Sequence, residues 1–246
     1  MGLLTVIDDV PLYDSIREAK TWAKQYNLTG YHAILSKHNS AYEMNIQDGH
    51  LRFEVRDSSG AAFRGRTVSL MNSGQYYHVS AVRNGPEIKL YINGESQTVE
   101  YFDAATSLPI NTNTYPVMIG RRSNESLYFD GVIDEVAVFD QALSYGEIQD
   151  IIEQTALMAT GSWRFNEGSG STVADSSGNS NGGTLYNGTS WTAGVHGYAA
   201  EFDGINDYIN IADSPSLDIS GNEYSVAAWV YMNATSGYRA VLSKGT

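Results

Sequence analysis

Four oxygen-bearing side chains recur at every second position of "DSSGNSNGG", residues 175 to 183: Asp175, Ser177, Asn179 and Asn181, with Gly178 between them and Gly182 and Gly183 behind. Oxygens at alternate positions of a glycine-rich segment can converge on a hard cation, the device used by oxygen-only calcium loops. This loop carries a single charge and no glutamate at its twelfth position, so a second carboxylate must come from elsewhere, with Asp134 or Glu135 as the candidate. The same residues also make an Asx-turn loop tied to its own backbone. A structural Ca2+ and a purely hydrogen-bonded turn are both open at this point.

A second chemistry is suggested by "GVIDEVAVF", residues 131 to 139, because a retaining glycoside hydrolase needs an acid and a nucleophile about 5–5.5 Å apart on one face. In a strand only residues two or four apart share a face. Asp134 and Glu135 are adjacent and point to opposite sides, while Asp134 shares its face with Val132 and Val136. The spacing therefore disfavours hydrolysis and predicts a buried Asp134 that is hydrogen-bonded or metal-linked. Asp130 does lie on the Asp134 face, with Gly131 between them as a possible break in the strand. His32, His38, His50, His78 and His196 sit in separate elements without HxH or HxxxH spacing, which argues against zinc and for exposed strand or turn positions. There is no cysteine, so disulfides and thiolate chemistry are absent.

Seventeen tyrosines and four tryptophans offer flat apolar faces on which sugar rings stack well. Trp22, Trp163 and Trp229 fall in alternating stretches and are expected in the core. Trp191, in the loop "NGTSWTAG", and Tyr115, before Pro116, are the candidates for a ligand-binding surface. Arg121 and Arg122 can pair with a buried carboxylate such as Asp134 or contact a ligand, and structural pairing is the favoured expectation. Twenty-eight acidic against fifteen basic residues give a net charge of −13, which repels a polyanion and excludes nucleic acid as a partner. No run approaches the roughly 18 apolar residues a membrane-spanning helix needs. The opening "MGLLTVIDDVPLYDS" lacks a basic stretch followed by an apolar one and does not read as a secretory signal.

The elements that must hold these residues are strands. "YEMNIQDGHLRFEV" alternates Tyr42, Met44 and Ile46, turns at Asp48-Gly49, and resumes with Leu51, Phe53 and Val55. "YYHVSAVRNGPEIKLYINGE" repeats the pattern around Asn84-Gly85 and Asn93-Gly94. Further strands are predicted at 115–121, 127–139, 161–165, 199–204, 207–212 and 224–232. So many short strands with regular turns predict an all-β antiparallel sandwich or barrel. One short helix is predicted over 144–155, where Ser144 and Glu147 form a capping box ahead of Ile148, Ile151 and Ile152. Residues 15–26 have a similar helical opening but also a competing strand reading.

That competing reading comes from a repeat. "TWAKQYNLTGYHAILSK" (21–37) aligns without a gap to "AWVYMNATSGYRAVLSK" (228–244) at an offset of 207. "VIDDVPLYDS" (6–15) likewise matches "VIDEVAVFDQ" (132–141) at an offset of 126. Residues 161–246, through "WRFNEGSGSTVADSSGNSNGGTL", "AAEFDGINDYINI" and "YSVAAWVY", resemble the first half of a bacterial laminin G-like, concanavalin A-like jelly-roll domain. Residues 30–155, through "GQYYHVSAV", "EIKLYINGE", "VMIGRR" and "FDGVIDEVAVFDQALSYGEI", resemble the second half. Half a jelly roll leaves unpaired edges, so 161–246 is expected to complete one sandwich with 30–155 in permuted order, leaving 1–29 as a redundant, poorly packed partial repeat.

The resemblance implies a jelly-roll sandwich with one rim helix that is not an enzyme. It further implies an extracellular or cell-surface module that binds carbohydrate or a surface or matrix protein, with Ca2+ common at its rim. An architectural repeat of a large adhesin is the second reading, and a glycoside hydrolase the third.

Overall fold

The computed structural model describes residues 3–7, 10–13, 41–57, 59–105, 108–122, 127–153 and 158–245. The chain divides into two compact units, Met1–His38 and Asn39–Thr246. In the first, β1 (Leu3–Ile7) and β2 (Val10–Tyr13) pair as an antiparallel hairpin. The helix or strand expected at 15–26, and most of the partial repeat expected at 1–29, lie outside the described residues.

The second unit is an antiparallel β-sandwich. Its first segment begins with the hairpin β3 (Tyr42–Gln47) and β4 (His50–Arg56), joined where Asp48 and Gly49 both take positive φ, as a tight two-residue turn requires. It continues with β5 (Ala62–Thr67), β6 (Tyr76–Asn84), β7 (Glu87–Ile92), β8 (Glu95–Ser96), β9 (Val99–Tyr101), β10 (Val117–Ile119) and β11 (Asp130–Phe139), and ends in helix α1 (Tyr145–Ile152). The second segment supplies β12 (Gly161–Trp163), β13 (Thr172–Val173), β14 (Gly183–Tyr186), β15 (Ser190–Ala193), β16 (Tyr198–Asp203), β17 (Tyr208–Ile211), β18 (Glu223–Met232) and β19 (Tyr238–Lys244).

The strands interleave. The larger sheet runs β13-β14-β17-β10-β19-β3-β4-β5-β9, and the smaller runs β15-β16-β11-β18-β6-β7-β8 with β12 also paired to β11. Each sheet alternates between segments at its middle, so β10 and β11 lie between strands of the second segment, while β18 and β19 lie between strands of the first. The core is shared in the same way. Phe53 meets Tyr224 at 5.3 Å and Phe129 meets Phe202 edge-on at 6.3 Å, each ring from a different segment.

Two sequence expectations about faces are corrected. Glu135 takes a positive φ of 50° and the β11–β18 register shifts between Asp134 and Ala137, which marks a bulge. Val136 and Val138 therefore join Ile133 in the core, and Asp134 keeps the outer face with Val132 alone among the valines. Trp229 is not a core residue. Tyr224, Val226, Ala228, Val230 and Met232 occupy the inner face of β18, which leaves Trp229 half-buried on the outer one. Trp163 does fill the core, fully buried, with its indole N–H donating to the Asn181 carbonyl at 2.7 Å.

Gly131 does not break β11. An added Cβ there would lie 2.0 Å from the Tyr231 carbonyl oxygen, so its absence lets β18 approach. The helix begins at Ser144 with a reciprocal capping box: the Glu147 backbone N–H donates to the Ser144 hydroxyl, and the Ser144 N–H donates to the Glu147 carboxylate at 2.8 Å. Its buried Ile148 packs with Val82, Tyr91, Ala137 and Phe139 on the outer face of the smaller sheet.

Candidate functional site

Strand register determines what the outer face of the smaller sheet displays beyond the helix. Asp134 pairs with Trp229, and Trp229 with His78, so three neighbouring strands set them in one row. The next row is Glu201, Val132, Tyr231 and Tyr76. Trp229, Tyr231 and Tyr76 are half-buried and Glu201 is exposed. Tyr76 and Tyr231 lie 5.2 Å apart, and the Trp229 indole takes two imidazole edges, from His78 at 5.3 Å and from His196 at 6.3 Å. The result is a floor of three rings bordered by a carboxylate.

The polar groups around that floor are held by local structure. Asp134 is completely buried; its Oδ2 accepts the backbone N–H groups of Val195 at 2.8 Å and His196 at 3.3 Å. The turn closes this far because Gly194 has no side chain, since a Cβ would come within 2.4 Å of that oxygen. Burial raises the Asp134 pKa, and the backbone N–H groups of His196, Val195 and Glu135 oppose the rise. Its Oδ1 has no hydrogen-bond partner. Tyr76 donates to the Ala193 carbonyl at 3.1 Å, and burial followed by the Asp134 charge holds its hydroxyl above the ordinary range.

His78 corrects the expectation of an exposed histidine. It is 1% exposed, with Nδ1 sharing a hydrogen bond with the Ser80 hydroxyl at 3.3 Å, and burial lowers its pKa to about 4. Sequence reasoning missed it because His78 stands on the outer parity of β6, where the Trp229 ring, paired to it by strand register, lies 5.3 Å away.

The loop at 175–181 is organised by its own hydrogen bonds. Asp175 Oδ1 accepts from the backbone N–H of Ser162 and Ser177, and Oδ2 from the Ser177 hydroxyl and the Asn181 N–H, all at 2.7–3.0 Å. Burial works against this charge, but the N–H donors outweigh it and hold the carboxyl below its ordinary value. Ser177 Oγ, Asn179 Nδ2 and Asn181 Nδ2 all donate to the Thr160 carbonyl. Asp134 has its partners in the 194–196 turn and not in this loop. Ca2+ needs six to eight converging oxygens, whereas this loop turns its donors inward. Among the described residues no three acidic or histidine side chains converge at ion-binding range. The donor set does not fit a calcium ion.

The two aromatics expected at the surface part company. Trp191 packs against the core, and its indole N–H donates to the Gly170 carbonyl at 2.8 Å. Tyr115 is exposed, and its carbonyl accepts from the Lys244 ammonium at 2.9 Å.

Neither carboxylate pair has the arrangement hydrolysis requires. Asp130 and Asp134 lie on one unbroken strand, four residues and so about 13 Å apart. Asp130 is held by the Asn233 amide at 2.9 Å. Glu43 and Glu54 do stand directly opposite each other on β3 and β4, a juxtaposition legible in the hairpin sequence once the Asp48-Gly49 turn sets the register. Both are buried, however, and every oxygen is engaged. Glu43 accepts from Asn45, Tyr238 and Arg122, and Glu54 pairs with Arg52, Arg56 and Arg122. Arg122 thus pairs with buried carboxylates other than Asp134, while Arg121 lies 3.7 Å from the centre of the Tyr208 ring.

The two-sheet sandwich thus carries on one outer face a floor of three aromatic rings bordered by the exposed Glu201. A laminin G-type family model, described as the concanavalin A-like lectin/glucanases superfamily, matches residues 19–149, more than half of the chain, and the chain belongs to that superfamily. Searches of curated proteins and of solved structures find no match. Laminin G-like domains are in general non-catalytic modules that bind carbohydrates or proteins, and they are typically extracellular. No helix among the described residues is long and apolar enough to cross a membrane.

Proposed function

We propose that the chain is a non-catalytic carbohydrate-binding module that acts outside the cell, and that the sugar ring stacks on the outer face of the smaller sheet. Tyr231 and Trp229 supply the stacking surface, Tyr76 flanks it, and Glu201 accepts hydroxyl hydrogen bonds at its border. The observation that supports this reading is the register that lines up three rings on a face α1 covers only at its other end. Amphipathic rings of this kind gain from an apolar sugar face while their polar edges stay hydrated. Calcium has no part in the proposal.

The test is a glycan array with and without chelator, followed by titration of the best glycan against Tyr231→Ala and Trp229→Phe. Binding that ignores the chelator, weakens at least tenfold in Tyr231→Ala and loses its fluorescence change in Trp229→Phe is expected. A folded protein that binds no glycan at high concentration would favour the architectural-repeat reading. Turnover of a reporter glucan would reinstate the hydrolase.

A further inference from the structure

Among the described residues the buried lysines and arginines are Arg52, Arg83, Arg121, Arg122 and Lys244. Four of them have partners that justify their burial. Arg52 and Arg122 face Glu54 and Glu43, Lys244 meets Asp213 and Asp218, and Arg83 donates to the carbonyls of Gly85 and Leu108. Arg121, only 7% exposed, has neither a carboxylate nor a carbonyl among the described residues. Its Nη2 meets the Met118 sulfur at 3.7 Å, its Nε has no hydrogen-bond partner, and its guanidinium lies 3.7 Å from the centre of the Tyr208 ring. A ring face returns only part of the hydration that a buried guanidinium gives up. In a chain of net charge −13, this cation is left without an anion.

Register sets it on the outer face of the larger sheet, opposite the aromatic floor described above. Val117, Ile119, Ile209 and Ile211 point into the core, which leaves Met118, Tyr208 and Asn210 outside. Asn210, Met118 and Ser243 form one row across β17, β10 and β19, and Tyr208 pairs with Tyr186 of β14. The two tyrosine rings are stacked, 4.9 Å between centres and 5° between planes, and Tyr186 is 40% exposed. Asn210 Oδ1 is a buried acceptor without a partner. The patch therefore combines an unmatched guanidinium, an unmatched amide oxygen and a stacked ring pair that reaches solvent. Their complements are a carboxylate, a hydroxyl and a sugar ring. The planar guanidinium fork suits the two oxygens of a carboxylate, and the overall negative charge of the chain disfavours more than one such group.

We propose that Arg121, Asn210, Tyr208 and Tyr186 form a second sugar subsite, selective for a glycan that carries a single uronic acid. The carboxylate pairs with Arg121, a hydroxyl of the same ring donates to Asn210, and the neighbouring ring of the glycan stacks on Tyr186. The sugar in this inference rests on the carbohydrate-binding reading, whereas the acidic group follows from Arg121.

Titration calorimetry of the full chain with a disaccharide bearing one glucuronate, its methyl ester and the neutral parent disaccharide tests this. At low salt the glucuronate should bind at least tenfold tighter than the ester, and added salt should narrow the gap. Arg121→Gln should abolish the preference, Arg121→Lys, which keeps the charge without the planar fork, should retain part of it, and Tyr186→Ala should weaken the glucuronate at least tenfold. Equal affinity for glucuronate and ester overturns the proposal, as does a parent-like preference in Arg121→Gln. The ester comparison uses the parent chain, so it decides the matter even where Arg121→Gln fails to fold. Tyr231→Ala separates the two sites: glucuronate binding that survives it supports this subsite whatever the neutral glycans do. Neutral glycans that bind through Tyr231 with no preference for the glucuronate leave the aromatic floor standing and remove this subsite.

Discussion

At the residue scale, the polar groups in this molecule act through satisfied geometry. Asp175 takes four donors, so Asp175→Ala strands three backbone N–H groups and should destabilise the chain by about 2–4 kcal/mol, read as a lowered urea midpoint. The same filled coordination means that millimolar Ca2+ should leave the melting temperature unchanged; a gain of about 2.7 kcal/mol, as from a ligand at 100 times its Kd, would show a site where none is expected. His78 gives a pH dependence. Its folded pKa of about 4 lies below the ordinary 6.5, so between those values the unfolded chain binds the proton first. Stability is therefore full above about pH 6.5 and falls by about 3 kcal/mol as pH drops towards 4. His78→Gln should flatten that slope in melts at pH 4.5 and 7; an unchanged slope would assign the acid sensitivity elsewhere.

At the element scale, β11 is a strand whose face pattern differs between the sequence reading and the structure. Uninterrupted alternation would place Val136 beside Asp134, yet the bulge at Glu135 shifts the parity and gives the core both Val136 and Val138. A single residue with positive φ leaves no trace in a hydrophobic pattern, which is why the shift is invisible until β18 supplies the register. Gly131→Ala should cost more than 3 kcal/mol, because its Cβ would collide with the Tyr231 backbone and no side chain can yield to relieve it. The check is a urea midpoint, with loss of glycan binding as a companion, since Tyr231 would shift with its strand. Helix α1, by contrast, was legible from its cap, and the structure starts it where the Ser144–Glu147 box requires.

At the scale of the whole molecule, the Asn39–Thr246 unit is held by pairings between residues far apart in sequence. Because rings from both segments meet in one core, Phe53→Ala and Trp163→Ala should each cost about 3–5 kcal/mol and move one common unfolding transition. Two separable transitions would show that the segments fold apart. The sequence by itself determined the strands, the tight turns, the helix cap and the all-β class, because alternation, Asp-Gly and Asn-Gly turns and capping boxes are local signals encoded within a few residues. It also exposed the duplicated segment, 21–37 against 228–244, since repetition is a property of the string. Only the tertiary structure decided that Trp229 faces outward, that His78 is buried, that Asp134 serves the 194–196 turn, and that Glu43 and Glu54 are locked by arginines. Each of those outcomes depends on which strand lies alongside, and with antiparallel partners drawn from opposite ends of the chain, that choice is made by the packing of the sheets and not by any neighbourhood in the sequence.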